Sequence, residues 1–240
     1  MTKKKAAKNA EPKAWEHPTG NQPKRVAIIG LGPTSQDWHA AHVQYTPPLD
    51  PVDEVWTVNK GFRTVKADMV FIMDDLVDEA RKSPRYGDEI AACDIPVVTS
   101  TVDALVKERW PRALRYPLKE VMQFWGAQLI HKRTGNTEIN ADEALNVGLG
   151  DAGYIFNSIP YMLAYAGFIG VNNISLWGVD YTFPGAPARE DDRANAEFWI
   201  AALQFGLGVA FQYPSRTTIC NRNLLSADRT FYGFNGRQPF

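Results

Sequence analysis

The sequence predicts an α/β fold built on a single doubly wound, mostly parallel sheet of about six or seven strands. Short apolar runs alternate along the 240 residues with segments of helical periodicity, as in chains that wind a parallel sheet. The runs are apolar on successive residues, which is typical of strands buried on both faces. Each of the first four runs stops at a small polar cluster, where parallel strands collect ligand-binding groups. We expect one domain over residues 25–240, preceded by an arm over residues 1–24.

The arm is predicted to be disordered because it has little to bury. Residues 1–25 carry seven Lys and Arg residues against two Glu, in a segment rich in Lys, Ala and Pro. Lysines near phosphates release counterions and so favour binding to nucleic acid. DNA is therefore a candidate partner for this arm, and a solubilising tail is the alternative.

Composition indicates a cytoplasmic protein. Its two cysteines, Cys93 and Cys220, are too few for a disulfide framework, and the net charge at pH 7 is −1. No stretch approaches the roughly 18 successive apolar residues of a membrane span, so no membrane partner is expected.

The first predicted strand, residues 25–30, leads into a glycine turn and a helix. The turn, residues 30–35, ends in Thr34 and Ser35, either of which can cap the helix. Backbone N–H groups at a helix N-terminus suit a phosphate or diphosphate, and the two hydroxyls add donors. Ser35 stands where the dinucleotide fingerprint requires its third glycine, so NAD is not expected as a cofactor.

Three further strands are predicted to end in polar residues. They cover residues 54–59, 67–73 and 95–100. Asn59 ends the first, and its amide can read a base or ribose edge by donating and accepting; capping the next turn is the alternative. Asp74 and Asp75 follow the second and can hold Mg²⁺ against a diphosphate or cap the next helix. Thr99 and Ser100 end the third.

The second half of the chain is predicted to contain a long loop, two helices and two strands. The loop covers residues 131–150, the helices run from near Ser158 to Gly170 and over residues 189–206, and the strands cover residues 173–178 and 209–213. Residues 116–126 fit a strand or a short helix. Long loops inside compact domains are usually lids or binding loops, and disorder is the alternative for this one.

The order of these motifs resembles a group of Rossmann-like transferases that includes the bacterial sialyltransferases and the 6-hydroxymethylpterin diphosphokinase-like proteins. The shared motifs are the turn at residues 30–35, Asn59 and Asp74-Asp75 after strands, Asn157-Ser158 opening a helix, and Leu176-Trp-Gly-Val-Asp180. The chain is more similar still to phage-encoded relatives, in residues 178–180, 195–200, 214–215 and 231–234. The resemblance runs from about residue 25 to residue 234 and implies contacts between the glycine turn and a nucleotide.

The candidate nucleotide-binding residues follow from these motifs. By resemblance they are Gly30, Gly32, Thr34, Ser35 and Asn59, to which we add Pro33, Thr99, Ser100, Asn157 and Ser158. A nucleotide sugar is the expected co-substrate, with Mg²⁺ held by Asp74 and Asp75 as an additional possibility.

The candidate catalytic residues are Asp180, Asp75 and His131. Sialyltransferases of this type use a histidine as general base, but no histidine follows Asp180 in this chain. The four histidines are His17, His39, His42 and His131, of which His131 lies at the edge of the predicted loop. A carboxylate can take the proton instead, and both aspartates follow buried strands at the predicted ligand edge.

The sequence therefore predicts a nucleotide-dependent transferase, with a phage-type glycosyltransferase as the leading hypothesis. Modified DNA is a candidate acceptor, and the host cytoplasm is the expected location for a phage-encoded enzyme. Two alternatives stay open. One is a diphosphokinase-like enzyme that uses ATP, and the other is a protein that binds or sequesters a nucleotide without catalysis.

Overall fold

A seven-stranded, fully parallel sheet forms the centre of the protein. The computed structural model describes residues 15–42, 51–181 and 190–220. The strands are β1 (Arg25–Ile29), β2 (Glu54–Val58), β3 (Met69–Ile72), β4 (Val97–Thr99), β5 (Ala113–Arg115), β6 (Asn173–Trp177) and β7 (Ala210–Gln212). They pair side by side in the order β5-β4-β3-β2-β1-β6-β7. The predicted doubly wound α/β sheet is confirmed.

Eight α-helices accompany the sheet in the ranges given above. They are α1 (Ser35–His42), α2 (Leu76–Lys82), α3 (Pro84–Ala91), α4 (Ala104–Arg109), α5 (Leu118–Thr134), α6 (Ala141–Asp151), α7 (Ser158–Phe168) and α8 (Glu190–Leu207). A short 3-10 helix (Asn59–Arg63) follows β2. None of the helices in the described ranges combines the length and apolarity needed to cross a bilayer.

Alternate residues of the strands are buried on opposite faces of the sheet. In β1, Val26 and Ile28 belong to the core cluster that includes residues of α5, α7 and α8. Ala27 and Ile29 belong to a separate cluster with Trp38 of α1. Residues 26–29 are buried on both faces of the sheet, which is why the sequence is apolar at these successive positions.

The order of the strands reverses between β1 and β6. From β1 the chain adds strands outward to β5, and it then returns through α5, α6 and α7 to place β6 against the other side of β1. Ile28 of β1 is in register with Leu176 of β6. Such a switch point leaves a crevice at the carboxyl ends of the strands, where open α/β sheets bind ligands.

The prediction of a long loop over residues 131–150 is wrong. The segment contains the end of α5 and nearly all of α6, and the two helices pack closely. A Cβ atom at Gly126 would lie 1.7 Å from the carbonyl oxygen of Ala144, and one at Gly148 would lie 1.9 Å from that of Met122. Gly148, which lies in the predicted loop, therefore allows close helix packing together with Gly126 of α5, and this segment is not a lid.

The packed part of the chain begins before residue 25. Trp15 Nε1 donates a hydrogen bond to the Tyr165 hydroxyl at 3.2 Å, and His17 Nδ1 lies 2.6 Å from the same oxygen. Trp15 and His17, which lie in the segment predicted as the arm, therefore pack against Tyr165 of α7. Residues 1–14, which carry most of the lysines of the predicted arm, lie outside the described residues.

A buried carboxylate at the start of β2 makes stability depend on pH. Glu54 is 2% exposed and is hydrogen-bonded to His17, Thr19 and Trp56. Burial by itself raises the pKa of Glu54, but these hydrogen bonds outweigh it and hold the pKa below its ordinary value of 4.5. A carboxyl with a lowered folded-state pKa stabilises the fold above the unfolded-state pKa, and this contribution disappears as pH falls through the folded-state value.

We expect Glu54→Gln to lower the free energy of unfolding by about 2 kcal/mol at neutral pH, because the charged acceptor is lost. The difference from the wild type should shrink as the pH falls below 4.5, where the wild-type carboxyl becomes protonated. Urea denaturation of both proteins across this range measures it. Glu138→Gln, at an exposed position, is the control and should change nothing. A difference that stays constant with pH would contradict the assignment.

Candidate functional site

A cleft of about 310 Å³ opens at the switch point, at the carboxyl ends of β1, β2, β3 and β6. Its volume is within the range of small-molecule sites. It is lined by Gly30, Leu31 and Gly32 after β1, Val58 at the end of β2 and Asn59 after it, Asp74 after β3, residues 156–159 at the start of α7, residues 178–181 after β6, and Asp192 of α8.

A second cavity, of about 430 Å³, lies elsewhere in the molecule. Trp15, His17 and Phe168 line it, and it adjoins the segment that packs against the first residue of β2. It is larger than the cleft but lies away from the carboxyl ends of the strands. The topology of the sheet therefore favours the cleft as the ligand site.

Three glycines bring the loop after β1 against the loop after β6. A Cβ atom at Gly30 would lie 2.3 Å from the carbonyl oxygen of Gly178, and one at Gly32 would lie 2.7 Å from an Asp180 carboxylate oxygen. Gly178 itself has a φ of +67°, a left-handed conformation that favours glycine. Residues 30–32 of the glycine turn thus line the cleft and form part of one of its walls.

Most backbone amides of the glycine turn are already hydrogen-bonded within the protein. Gly30 donates to the Trp177 carbonyl (2.7 Å), Gly32 to the Gly178 carbonyl (2.7 Å), Thr34 to the Asp180 carboxylate (2.9 Å) and Ser35 to the Gly32 carbonyl (3.0 Å). Pro33 has no N–H. Within the described ranges, Leu31 keeps an N–H group with no acceptor. The turn therefore offers a phosphate far fewer donors than its sequence suggests.

Asp180 is buried and holds the two loops together. Its carboxylate accepts hydrogen bonds from the Thr34 hydroxyl at 2.8 Å and from the Thr217 hydroxyl at 3.0 Å, besides the Thr34 amide. The Thr34 hydroxyl in turn accepts the N–H of Gly178 at 2.8 Å. A general base needs an oxygen free to take the substrate proton. The base role of Asp180 stays a prediction, and its contacts are those of a positioning residue.

The neighbouring acidic residues Asp74 and Asp75 have different surroundings. Asp75 caps α2 by accepting the N–H groups of Val77 (2.9 Å) and Asp78 (3.1 Å). Asp74 lines the cleft, and its carboxylate has no hydrogen-bond partner in the described part of the chain. No three metal-binding side chains cluster anywhere in that part. Mg²⁺ binding by Asp74 and Asp75 against a diphosphate stays a prediction.

Seven predicted residues are not among those that line the cleft: Pro33, Thr34, Ser35, Asp75, Thr99, Ser100 and His131. His131 lies in the last turn of α5, where its Nδ1 is 3.1 Å from the carbonyl oxygen of Asn136. The Thr99 hydroxyl donates to the carbonyl oxygen of Asp74 at 3.2 Å, and Ser100 is exposed. The imidazole of His131 is therefore not in the cleft. It lies at the end of α5, which packs against α6.

Asn59 lines the cleft and has a side-chain oxygen without a hydrogen-bond partner. It has a φ of +47°, a left-handed conformation that asparagine tolerates better than most residues. Its Oδ1 atom is buried and has no hydrogen-bond partner, so it does not cap the next turn. A buried polar atom without a partner costs about 1–3 kcal/mol. A ligand that donates to this oxygen would recover that energy.

The wall formed by α7 contains both predicted residues of its first turn. Asn157 caps α7: its Oδ1 accepts the N–H of Ile159 at 3.2 Å and the Tyr181 hydroxyl at 3.0 Å. Its Nδ2 donates to the carbonyl oxygen of Asp192 at 3.3 Å. Ser158, the first residue of α7, also lines the cleft. The side-chain amide of Asn157 is therefore hydrogen-bonded within the protein, and it holds the start of α7 against Tyr181 and Asp192.

Eight residues line the cleft without having been predicted from the sequence. They are Leu31, Val58, Phe156, Ile159, Gly178, Val179, Tyr181 and Asp192. Phe156 lies directly before the helix cap Asn157 in the sequence. In the structure this large apolar residue is 69% exposed. Asp74, Asp180 and Asp192 line the cleft in the described ranges, whereas no Lys or Arg does. These carboxylates make the cleft negatively charged, and this charge repels a phosphate. A ligand held by phosphate contacts alone is therefore disfavoured.

Comparisons with known proteins find solved structures that are similar to this chain, but no matching family. No protein-family model and no curated protein matches the chain. The sialyltransferase CstII from Campylobacter jejuni, in complex with the substrate analogue CMP-3FNeuAc, is 17% identical, with a TM-score of 0.44 over 84% of this chain and 82% of that chain. An α-2,3-sialyltransferase from Campylobacter jejuni in apo form is 16% identical, with a TM-score of 0.43 over 84% and 77%. The function of this chain has to be inferred from its own cleft.

Proposed function

We propose that this protein is a nucleotide-dependent transferase that moves a glycosyl group from a nucleotide sugar to an acceptor hydroxyl. The observation that carries the proposal is the buried, unpartnered Oδ1 atom of Asn59 in a cleft at the switch point of the sheet. Ligands of open α/β sheets bind at that place. A nucleoside offers ribose hydroxyls and, on several bases, an amino group as donors to such an oxygen.

The remaining polar groups of the cleft suit the phosphate end of the same ligand. Leu31 offers its N–H, and Ser158 offers a hydroxyl at the N-terminus of α7, where the helix dipole is positive. The acceptor of Asn59 and these donors lie in one cleft. The combination of an acceptor with these donors supports a nucleoside phosphate rather than a free phosphate as the ligand.

Glycosyl transfer needs a group that accepts the proton of the attacking hydroxyl. In the reaction the bond between the sugar and the nucleotide phosphate breaks, the acceptor oxygen bonds to the sugar, and the hydroxyl proton leaves. Asp74 lines the cleft with a carboxylate that has no hydrogen-bond partner in the described ranges, whereas Asp75 and Asp180 are engaged. Asp74 is therefore the carboxylate we assign to this step. No step is assigned to Mg²⁺.

Asn59→Ala is expected to weaken nucleotide binding about 10-fold, because a ligand donor then loses its acceptor. Isothermal titration with CMP, UDP, UDP-glucose, ATP and NAD measures the change. Asn59→Gly is the second variant, since glycine removes the side chain without strain at a positive φ. Asn146→Ala, at an exposed position of α6, is the control. Equal affinity of wild type and both Asn59 variants would refute the role of the amide.

The products released distinguish the proposed enzyme from its alternatives. A glycosyltransferase releases a nucleoside mono- or diphosphate, and a diphosphokinase that uses ATP releases AMP. A protein that only binds or sequesters the nucleotide releases neither. The engaged carboxylates of Asp75 and Asp180 favour this last candidate as the second proposal, because they leave few free catalytic groups.

Modified DNA as the acceptor is a separate proposal that depends on the lysine-rich residues 1–14. A variant without these residues should bind DNA more weakly than the full chain, with a smaller dependence on salt. Equal binding of the two proteins would remove the arm from the proposal. A phage origin rests on the resemblance in sequence alone.

A further inference from the structure

An exposed aromatic side chain stands at the mouth of the cleft. Phe156 lines the cleft although 69% of it is accessible to solvent. Its ring meets the Tyr154 ring edge-on, with centroids 5.0 Å apart, and Tyr154 in turn meets Phe198 at 5.5 Å. Exposed aromatic surface beside a polar cleft is typical of a binding surface.

A buried amide fixes the backbone on both sides of this aromatic segment. Asn195 of α8 is fully buried; its Nδ2 donates to the Tyr154 carbonyl at 2.6 Å, and its Oδ1 accepts the Phe156 N–H at 2.9 Å. Trp199 Nε1 donates to the same carbonyl at 2.7 Å. The Phe156 backbone is therefore held in place before any ligand arrives, so binding does not have to order it.

We propose that Phe156 is the surface on which the nucleobase of the bound nucleotide stacks. This inference rests on the proposed function and names the part of the ligand that supplies affinity. No Lys or Arg of the described ranges lines the cleft, so a phosphate finds little charge to bind. Stacking needs no charge and accepts every base, since each base has a π-face. The Asn59 oxygen then orients a ligand that Phe156 holds.

Titration calorimetry with matched ligands separates stacking from phosphate contacts. The ligands are CMP, cytidine and ribose 5-phosphate, together with AMP, ADP and UMP in case another base is preferred. Phe156→Ala should weaken binding of the nucleotide and its nucleoside about 10-fold, whereas Phe156→Tyr should stay within about 2-fold of wild type. Phe205→Ala is the control, because Phe205 of α8 is 86% exposed and is not among the residues that line the cleft.

The inference and the proposed function fail in different ways. Wild-type affinity of Phe156→Ala for the nucleotide overturns the inference alone, as does an equal loss of affinity for ribose 5-phosphate. A wild-type protein that binds no nucleotide overturns the proposed function and the inference together. Thermal unfolding of each variant verifies its fold, and wild-type melting is expected because the Phe156 side chain is mostly exposed.

Discussion

Replacing Asp180 by asparagine is expected to lower the free energy of unfolding by about 3 kcal/mol and to weaken nucleotide binding at least about 10-fold. The Asp180 carboxylate is 2% exposed and accepts hydrogen bonds from the amide and hydroxyl of Thr34 and from the hydroxyl of Thr217. Asparagine replaces one carboxylate oxygen by an NH₂ group, which itself donates. At least one buried donor would then lose its acceptor.

The loss of binding follows from the position of Thr34 between the two loops of the cleft. Thr34 bonds Asp180 and also accepts the N–H of Gly178, so it links the turn after β1 to the loop after β6. Both loops line the cleft. A change that releases Thr34 therefore alters the wall against which the nucleotide is proposed to lie.

Asp75→Asn is the matched control, since Asp75 also follows a buried strand at the same edge of the sheet. Its carboxylate caps α2, and asparagine caps helices as well as aspartate does, so stability should change by less than about 0.5 kcal/mol. Urea denaturation and titration calorimetry compare the two variants. If Asp180→Asn instead keeps wild-type stability and affinity but loses turnover, Asp180 is the general base and its positioning role is refuted.

The strands were predictable where both faces are buried. All four residues of β3 are buried, so the apolar run in the sequence marks the strand directly. β5 was missed because it has only three residues, of which Ala113 alone is buried. The α5–α6 pair was missed because residues 131–150 are polar and contain glycines such as Gly148, a loop signal in sequence that is a helix contact in the fold.

The position of the candidate site was predictable, and the roles of its residues were only partly so. Parallel strands end at one edge, so Asn59 and Asp74 could be placed together from the ends of their strands. Thr99 is the last residue of β4, which lies three strands away from β1, and the strand order cannot be derived from the apolar runs. The contact between Thr34 and Asp180 joins residues 146 positions apart, which no local pattern records.

Gly178→Ala is expected to lower the free energy of unfolding about as much as Asp180→Asn does, because it disturbs the backbone. Gly178 has a φ of +67°, and a Cβ atom there would lie 2.6 Å from the carbonyl oxygen of Gly30. A left-handed alanine costs about 1 kcal/mol, and the clash with a backbone atom adds about 2 kcal/mol or more. The loops after β1 and β6 would have to separate, which distorts the cleft and weakens nucleotide binding.

Gly170→Ala isolates the clash from the backbone conformation. Gly170 also has a positive φ, +78°, but an added Cβ atom would meet only Lys24 Nζ, at 3.7 Å. This variant should lose about 1 kcal/mol of stability and keep the nucleotide affinity of the wild type. Urea denaturation and calorimetry on both variants give the comparison. Because the two substitutions differ in the space around the new methyl group, equal losses of stability would show that the contact between Gly30 and Gly178 is not tight in solution.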